Sequence, residues 1–247
     1  MNVSLYQAAA AMDAQSRWQE IIADNLAAGA VPGFRKENAS FEDVAAASSV
    51  TMRGATPASF YIPTVVSSTS FLQGEMRPTG GSLDFALEGQ GFFEVQLPNG
   101  DNAYTRNGEF QLNAKGQLVT AEGYPVMSES GAVQFDPNNS VPITVSATGQ
   151  ISQNGITKGH LKVAMFADLN SLTAADGGYL LASGQQPLPA PAGTAVRQGF
   201  LEAANLSPTT EMGSLISAMR VFEANQKVLQ AQDDRLGHII TDLGGTS

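Results

Sequence analysis

The sequence predicts an α+β fold: long N- and C-terminal helices pack together as a coiled-coil-like assembly domain, and a mainly antiparallel β domain is inserted between them. Three observations predict it. From Ser4 to about Ala28 there is neither Pro nor Gly, and Leu5, Ala8, Met12, Ile22 and Leu26 recur in steps of three, four or their sums. After Pro208, Leu215, Met219, Phe222, Gln226, Leu229, Asp233, Leu236, Ile240 and Leu243 step by four and three alternately, a heptad seam. Between these ends the apolar period changes to two, with Asn, Gly and Pro clusters separating the runs.

The first helix is expected to run about 24 residues, or ~36 Å. Gly29, Pro32 and Gly33 supply its stop, through a left-handed turn and a block to helix continuation. The last helix starts at Ser207, a good N-cap, with Pro208 at the first helical position and Glu211 near the positive end of the helix dipole. Two seam positions, Gln226 and Asp233, are polar. Either they fix register and partner number at some cost in stability, or the helix belongs to an ordinary antiparallel pair with both residues near water. Trp18 and Phe34, around the end of the first helix, are candidates for contact anchors or for core packing.

In the middle, Leu83 to Leu87 and Phe93 to Leu97 alternate, and Pro98-Asn99-Gly100-Asp101 follows as a turn. Tyr104-Thr105-Arg106, the Asn107-Gly108 turn, Glu109 to Leu112, the Asn113 to Gly116 turn and Gln117 to Thr120 read as successive strands and hairpins. Ile143 to Val145, Gln150 to Ser152 and Leu161 to Phe166 are further strands. Between Asn38 and Thr79, an Ala/Ser run (45 to 49), Thr56-Pro57, Ile62-Pro63 and the Val65 to Ser70 segment suggest extended chain rather than a domain. The expected division is therefore 1–37 N-terminal assembly helix and turn, 38–79 extended linker, 80–200 central β domain and 201–247 C-terminal assembly helix.

Composition narrows the function. Thirteen Lys and Arg against 23 Asp and Glu give a net charge of −10, and the basic residues are scattered apart from Arg35-Lys36. A nucleic-acid binder needs clustered cations to displace counterions, so that class is excluded. Hydrophobic residues at 43% suffice for a core, while charged residues at 15% fall below the ~25% of an average globular chain, so much of the surface is polar-neutral or buried against something. Without Cys there are no disulfides, zinc-thiolate sites or thiol nucleophiles. No stretch approaches the ~18 uninterrupted apolar residues of a membrane span, and no basic segment of a cleavable signal follows Met1.

Catalytic constellations are thin. His160, in the Lys158-Gly159-His160 turn, and His238, near the end of the last helix, lack a second His or carboxylate at ligand spacing, so no metal site is expected. Gly89-Gln90-Gly91 is followed by strand-like sequence with Glu94 where a dinucleotide loop needs its third glycine, so it reads as a tight turn before Phe92-Phe93. No Ser sits in a Gly-x-Ser-x-Gly elbow, and Asp233-Asp234 point to different helix faces. No catalytic residue, cofactor or metal is expected. The apolar seams remain, and the longer one exceeds what its counterpart can cover, so further copies or related subunits are the natural partner.

Four separated motifs resemble the axial proteins of the bacterial flagellum, in particular the basal-body rod proteins of the FlgF and FlgG type. They are Ile22-Ala23-Asp24-Asn25-Leu26-Ala27 leading into Pro32-Gly33-Phe34-Arg35-Lys36; Leu83 through Phe93 with Tyr104-Thr105-Arg106-Asn107-Gly108 and Gly123-Tyr124-Pro125-Val126; Gly199-Phe200-Leu201-Glu202-Ala203-Ala204-Asn205-Leu206; and Glu211-Met212 with Arg220-Val221-Phe222-Glu223-Ala224-Asn225. The chain departs from the family pattern at Ala27-Ala28-Gly29-Ala30, in place of an Asn-rich turn, and in the short 38–79 stretch. Its length is nearer the proximal type, while the motifs are shared with the distal type and with hook proteins.

The resemblance implies a structural subunit of the periplasm-spanning rod, exported without a cleavable signal by the flagellar type III apparatus. It would polymerise helically with copies of itself and other rod or hook subunits into a torque-transmitting shaft around the export channel. Leu5, Met12, Ile22, Leu26, Phe34, Leu215, Met219, Phe222, Leu229, Leu236 and Ile240 are the expected assembly interface. The alternatives are a hook-type axial protein, or a cell-surface β domain with a binding or hydrolytic role and helical oligomerisation arms.

Overall fold

A computed structural model describes residues 3–46, 60–136, 141–182, 184–191 and 193–244. The part of the Ala/Ser run beyond Ala46 and the Thr56-Pro57 step lie outside the described residues. Helix α1 (Val3–Ala28) precedes β1 (Glu37–Ala46), β2 (Phe60–Thr69), β3 (Met76–Pro78), β4 (Phe85–Glu88), β5 (Phe92–Gln96) and β6 (Asn102–Thr105). Next come β7 (Gln111–Leu112), β8 (Leu118–Val119), β9 (Met127–Ser128), β10 (Gly131–Ala132), β11 (Ile143–Val145), β12 (Gln150–Gln153) and β13 (Ile156–His160). The chain ends with β14 (Val163–Met165), β15 (Leu172–Ala175), β16 (Tyr179–Ala182), β17 (Leu188–Pro189), β18 (Ala195–Gln198), β19 (Phe200–Glu202) and α2 (Pro208–Gly244).

The structure corrects the predicted fold class. The protein is mainly β, with nineteen strands against two α-helices among the described residues, and the helices do not form a coiled-coil-like domain around an inserted β domain. Two physical reasons account for the difference. Many strands are only two or three residues long, too short to show alternation, and several others, such as β1, β2, β15 and β16, lie outside the runs that alternate most clearly. The buried face of α2 is also not the expected seam. Glu211, Leu215, Ala218, Phe222, Asn225, Leu229 and Gln232 face inward to differing degrees, whereas Met219, Gln226 and Asp233 are exposed. That face mixes Glu, Asn and Gln with its apolar residues, so it is no continuous apolar seam.

The chain divides into two compact units, one formed by residues 1–27, 37–68 and 207–247, the other by 28–36 and 69–206. In the second unit, β15-β16-β6-β5-β14-β17 form a six-stranded sheet with antiparallel pairing at each of the registers. A three-stranded sheet, β11-β12-β13, and short pairs such as β18-β4 and β19-β3 surround it. The larger core gathers Phe85, Leu87, Phe93, Val95, Leu118 and Val126, all essentially without exposed surface. Phe93 stands edge-on to Phe110 at 5.3 Å, and a smaller cluster on Phe92, Tyr104 and Phe166 packs Tyr104 against Phe166 at 4.7 Å. The Asn107-Gly108 step is not the expected hairpin, since β6 pairs with β5 and β16 rather than with β7, and Gly108 lies so close to the Phe85 carbonyl that a Cβ would collide with it. His160 belongs to strand β13 rather than to a free turn, beside a register shift at Ile151 and Ser152.

In the first unit, α1 matches its expected span, and α2 begins as expected, with the Glu211 N–H donating to the Ser207 carbonyl at 3.0 Å. Residues 37–46 and 60–69 form the paired strands β1 and β2. Trp18 of α1 meets Phe41 of β1 edge-to-face at 5.6 Å, and the Asn25 side chain exchanges two hydrogen bonds with the backbone of Glu37, at 2.7 and 2.9 Å. The amides of Gln15 and Gln19 both donate to the Ala218 carbonyl, at 3.1 and 3.2 Å. The two helices therefore touch here through polar side chains on a helical carbonyl.

Candidate assembly surface

Of the expected interface residues, Ile22 is buried, Met12, Leu26, Leu215, Phe222 and Leu229 are half-buried, and Met219 is 51% exposed. Phe34 is half-buried in the turn after α1, within the β unit. Leu5, Leu236 and Ile240 lie on the helices, but their side chains are outside the described ones. The structure thus groups one set on the inward faces of α1 and α2 and turns Met219 outward.

The outward surface of α2 is unusually apolar. Met212, Ile216 and Met219 share one side, at spacings of four and three, and each is about half exposed. Val221 and Val228, seven residues apart, form a second exposed line on the other side of the buried face. Helix α2 therefore buries one stripe within the chain and offers two more. By contrast, the exposed side of α1 carries charge, in Asp13, Arg17, Glu20 and Asp24.

The β unit holds a buried ionic cluster that sequence reasoning did not single out. Glu202 of β19 is fully buried; its Oε1 lies 2.7 Å from Arg35 Nη1 and its Oε2 3.2 Å from Arg106 Nη1, both side chains being 5% exposed. The Gly74 N–H donates to Oε1 at 2.8 Å. Arg35 also donates to the Leu72 carbonyl at 2.5 Å, and Arg106 to the carbonyls of Leu87 and Gly89 at 3.2 and 2.6 Å, with its guanidinium 5.4 Å from the centre of the Phe92 ring. Burial pulls the Arg106 guanidinium down to about 10, against the opposing pull of Glu202, and burial likewise lowers Arg35. An arginine guanidinium stays charged near neutral pH. Two cations on one carboxylate leave charge to be satisfied, and the carbonyls of Leu72, Leu87 and Gly89 take up part of it, while the two buried Nε atoms have no acceptor.

Around this cluster the backbone is tied down as well. The Gly33 N–H donates to the Glu202 carbonyl at 2.7 Å, and Gly33, at φ +69°, lies where a Cβ would strike the backbone of Arg106 and Asn107. The Asn205 amide spans both sides: Oδ1 accepts from the Lys36 N–H at 2.7 Å, and Nδ2 donates to the carbonyls of Ser70 and Leu72 at 2.8 and 2.9 Å. The cluster pins the segment after α1, the segment before α2 and the loop before β3 onto one body. The signal available in the sequence was only that Arg35, Arg106 and Glu202 each fall within one of the motifs that carry the resemblance.

Three of the motifs that carried the resemblance, those around Gly33, Arg106 and Glu202, therefore converge on a single point. The comparisons with known proteins agree. Residues 86–153 match the family described as "Flagellar hook protein FlgE/F/G D1 domain", and residues 197–242 match "Flagellar basal body rod FlgEFG protein C-terminal". The chain is 35% identical over 231 residues to the flagellar basal-body rod protein FlgF of Caulobacter vibrioides, covering 93% of each chain. The chain belongs to the flagellar basal-body rod protein family. Other members are the rod protein FlgG of Buchnera aphidicola from Acyrthosiphon pisum, 31% identical with 94% of this chain and 96% of that one covered, and FlgF of Mesorhizobium japonicum, 32% identical over the whole of both. Within this rod family assignment, the C-terminal match takes in β19, Glu202, Asn205 and nearly all of α2. Among the described residues no helix is long and apolar enough to cross a membrane.

Proposed function

We propose that this chain is a structural subunit of the flagellar basal-body rod, polymerising helically with copies of itself and with other rod or hook subunits. The observation that carries the reading is the pair of apolar lines on α2, Met212-Ile216-Met219 and Val221-Val228, which one chain leaves exposed. A helix covered on three sides suits the interior of a helical shaft, where each copy has neighbours on several flanks. Location in the periplasm-spanning rod, the export channel within it and passage through the flagellar type III apparatus follow from the same reading. The role is mechanical rather than enzymatic: the buried Arg35–Glu202–Arg106 cluster makes the β unit and the segments leaving it one stiff body for transmitting torque.

A binding or hydrolytic role for the β unit is not favoured. Its open groove, bordered by Glu129, His160, Lys162, Leu188 and Val196, brings together no set of side chains with catalytic spacing, and its one lysine is already paired. Lys162 pairs with the buried Glu94 at 2.7 Å, and the His160 carbonyl accepts from the Glu129 N–H at 3.1 Å. The test is Leu229→Glu in a host lacking its own copy. The expected result is loss of rods and motility with the β unit still folded; normal rods and motility would overturn the reading.

A further inference from the structure

The exposed charges of the two helices are mirror patterns. On α1, Asp13, Arg17 and Glu20 are spaced by four and then three, with signs minus, plus, minus. On α2, Arg220, Glu223 and Lys227 are spaced by three and then four, with signs plus, minus, plus. Reversing the direction of one helix superimposes the two spacings and opposes every sign, whereas a parallel arrangement mismatches the spacing. All six residues are exposed, and three and four residue steps put each set on one side of its helix.

These stripes cannot meet within one chain. The faces that meet there are those of Gln15 and Gln19 on α1 and Ala218 on α2. The Asp13-Arg17-Glu20 stripe lies across α1 from Gln15 and Ile22, and Arg220 and Lys227 lie well around α2 from the buried Glu211 and Ala218, so both stripes point outward. The existing Arg17–Asp13 pair, at 3.2 Å and more than 60% exposed on each side, is a solvated contact that contributes little and yields readily to a better-placed partner.

We infer that α1 of one copy docks antiparallel on α2 of a neighbouring copy, with Glu20 against Arg220, Arg17 against Glu223 and Asp13 against Lys227. The inference rests on the rod-subunit reading and adds to it the partner helix, its direction and its register. The same register sets Met219 level with Ile21, extending the contact into the apolar line of α2, while Asp24 falls level with Ile216, so the charge match covers three positions. Exposed ion pairs add modest affinity, and their role here is to reject wrong registers: a shift along the stripe by one charge position brings like signs together.

The absence of cysteine makes the test clean. The full-length chain carrying Arg17→Cys with Glu223→Cys is expressed in a host lacking its own copy, and isolated basal bodies are oxidised and run without reductant. A second chain carries Glu20→Cys with Arg220→Cys, and a third, seven residues out of register on the same stripe, carries Arg17→Cys with Gln230→Cys. Disulfides need Cα atoms within about 7 Å. Covalent multimers from the first two chains and at least tenfold fewer from the third are expected. No multimers from rods that contain the first two chains, equal multimers from all three, or loss of rods on removing a single charge pair would overturn the inference. Absence of the unsubstituted chain from basal bodies would instead defeat the rod reading, so the two failures are distinguishable.

Discussion

The β unit and the helical unit close their surfaces in opposite ways. In the first, Phe93, Leu87 and Val95 show no surface, and even a carboxylate, Glu202, is buried with two guanidinium groups and an amide in place. In the second, Ile216 and Val228 each leave 54% of their surface to solvent, and the helices meet through glutamine amides on a carbonyl. The contrast teaches where one chain is sufficient. A core of non-local strand pairs around a paired buried charge is closed within one chain, whereas a long helix with apolar residues on three sides is left with two of them uncovered there.

The comparison breaks most directly at the buried cluster. Glu202→Ala strands two buried cations and is expected to cost about 3–5 kcal/mol in denaturant unfolding of the β unit. Phe93→Ala, which opens a cavity beside Phe110, is expected to cost a similar ~3–5 kcal/mol. The helical unit should respond differently: Ile216→Ser is expected to shift monomer stability by no more than ~0.5 kcal/mol in the same measurement, yet to reduce rod assembly severely. A loss at Ile216 comparable to that at Phe93 would erase the distinction.

A smaller effect concerns pH. Burial pushes the Glu122 carboxyl up, but hydrogen bonds from the Tyr179 hydroxyl, its own backbone N–H and Thr120 outweigh it and hold the group below its ordinary value. A carboxyl lowered in the folded state stabilises above its unfolded value, near 4.5, and that contribution is lost as pH falls through the folded value. Tyr179→Phe should therefore flatten the fall in β-unit melting temperature below about pH 4.5. An acid profile unchanged from the unsubstituted chain would remove Glu122 from the account.

Much of this was legible from residues alone, for reasons that differ along the chain. The span of α1 and the start of α2 followed from Gly, Pro and capping residues, which act locally. Strands β4, β5, β6 and β12 followed from alternation bounded by turns. Of the two-residue strands, β7 and β8 followed as well, as the hairpin around Asn113 to Gly116, but β17 did not, because its pairing is set by a distant neighbour: it exists only as the partner of β14, through Leu188 and Pro189. The seam on α2 was displaced by one residue at alternate positions, with Ala218 in place of Met219, Asn225 in place of Gln226 and Gln232 in place of Asp233. Arg35, Arg106 and Glu202 are far apart in sequence, so their meeting was visible only in the fold.

The central claim is that the β unit is complete in one chain and the helical unit is completed by others. Amide hydrogen exchange on the purified monomer and on isolated rods tests it directly. The account predicts that β4, β5 and β6 are protected equally in both, while α2 exchanges quickly in the monomer and becomes protected in the rod. Protection of α2 in the dilute monomer matching that of β5 would contradict it.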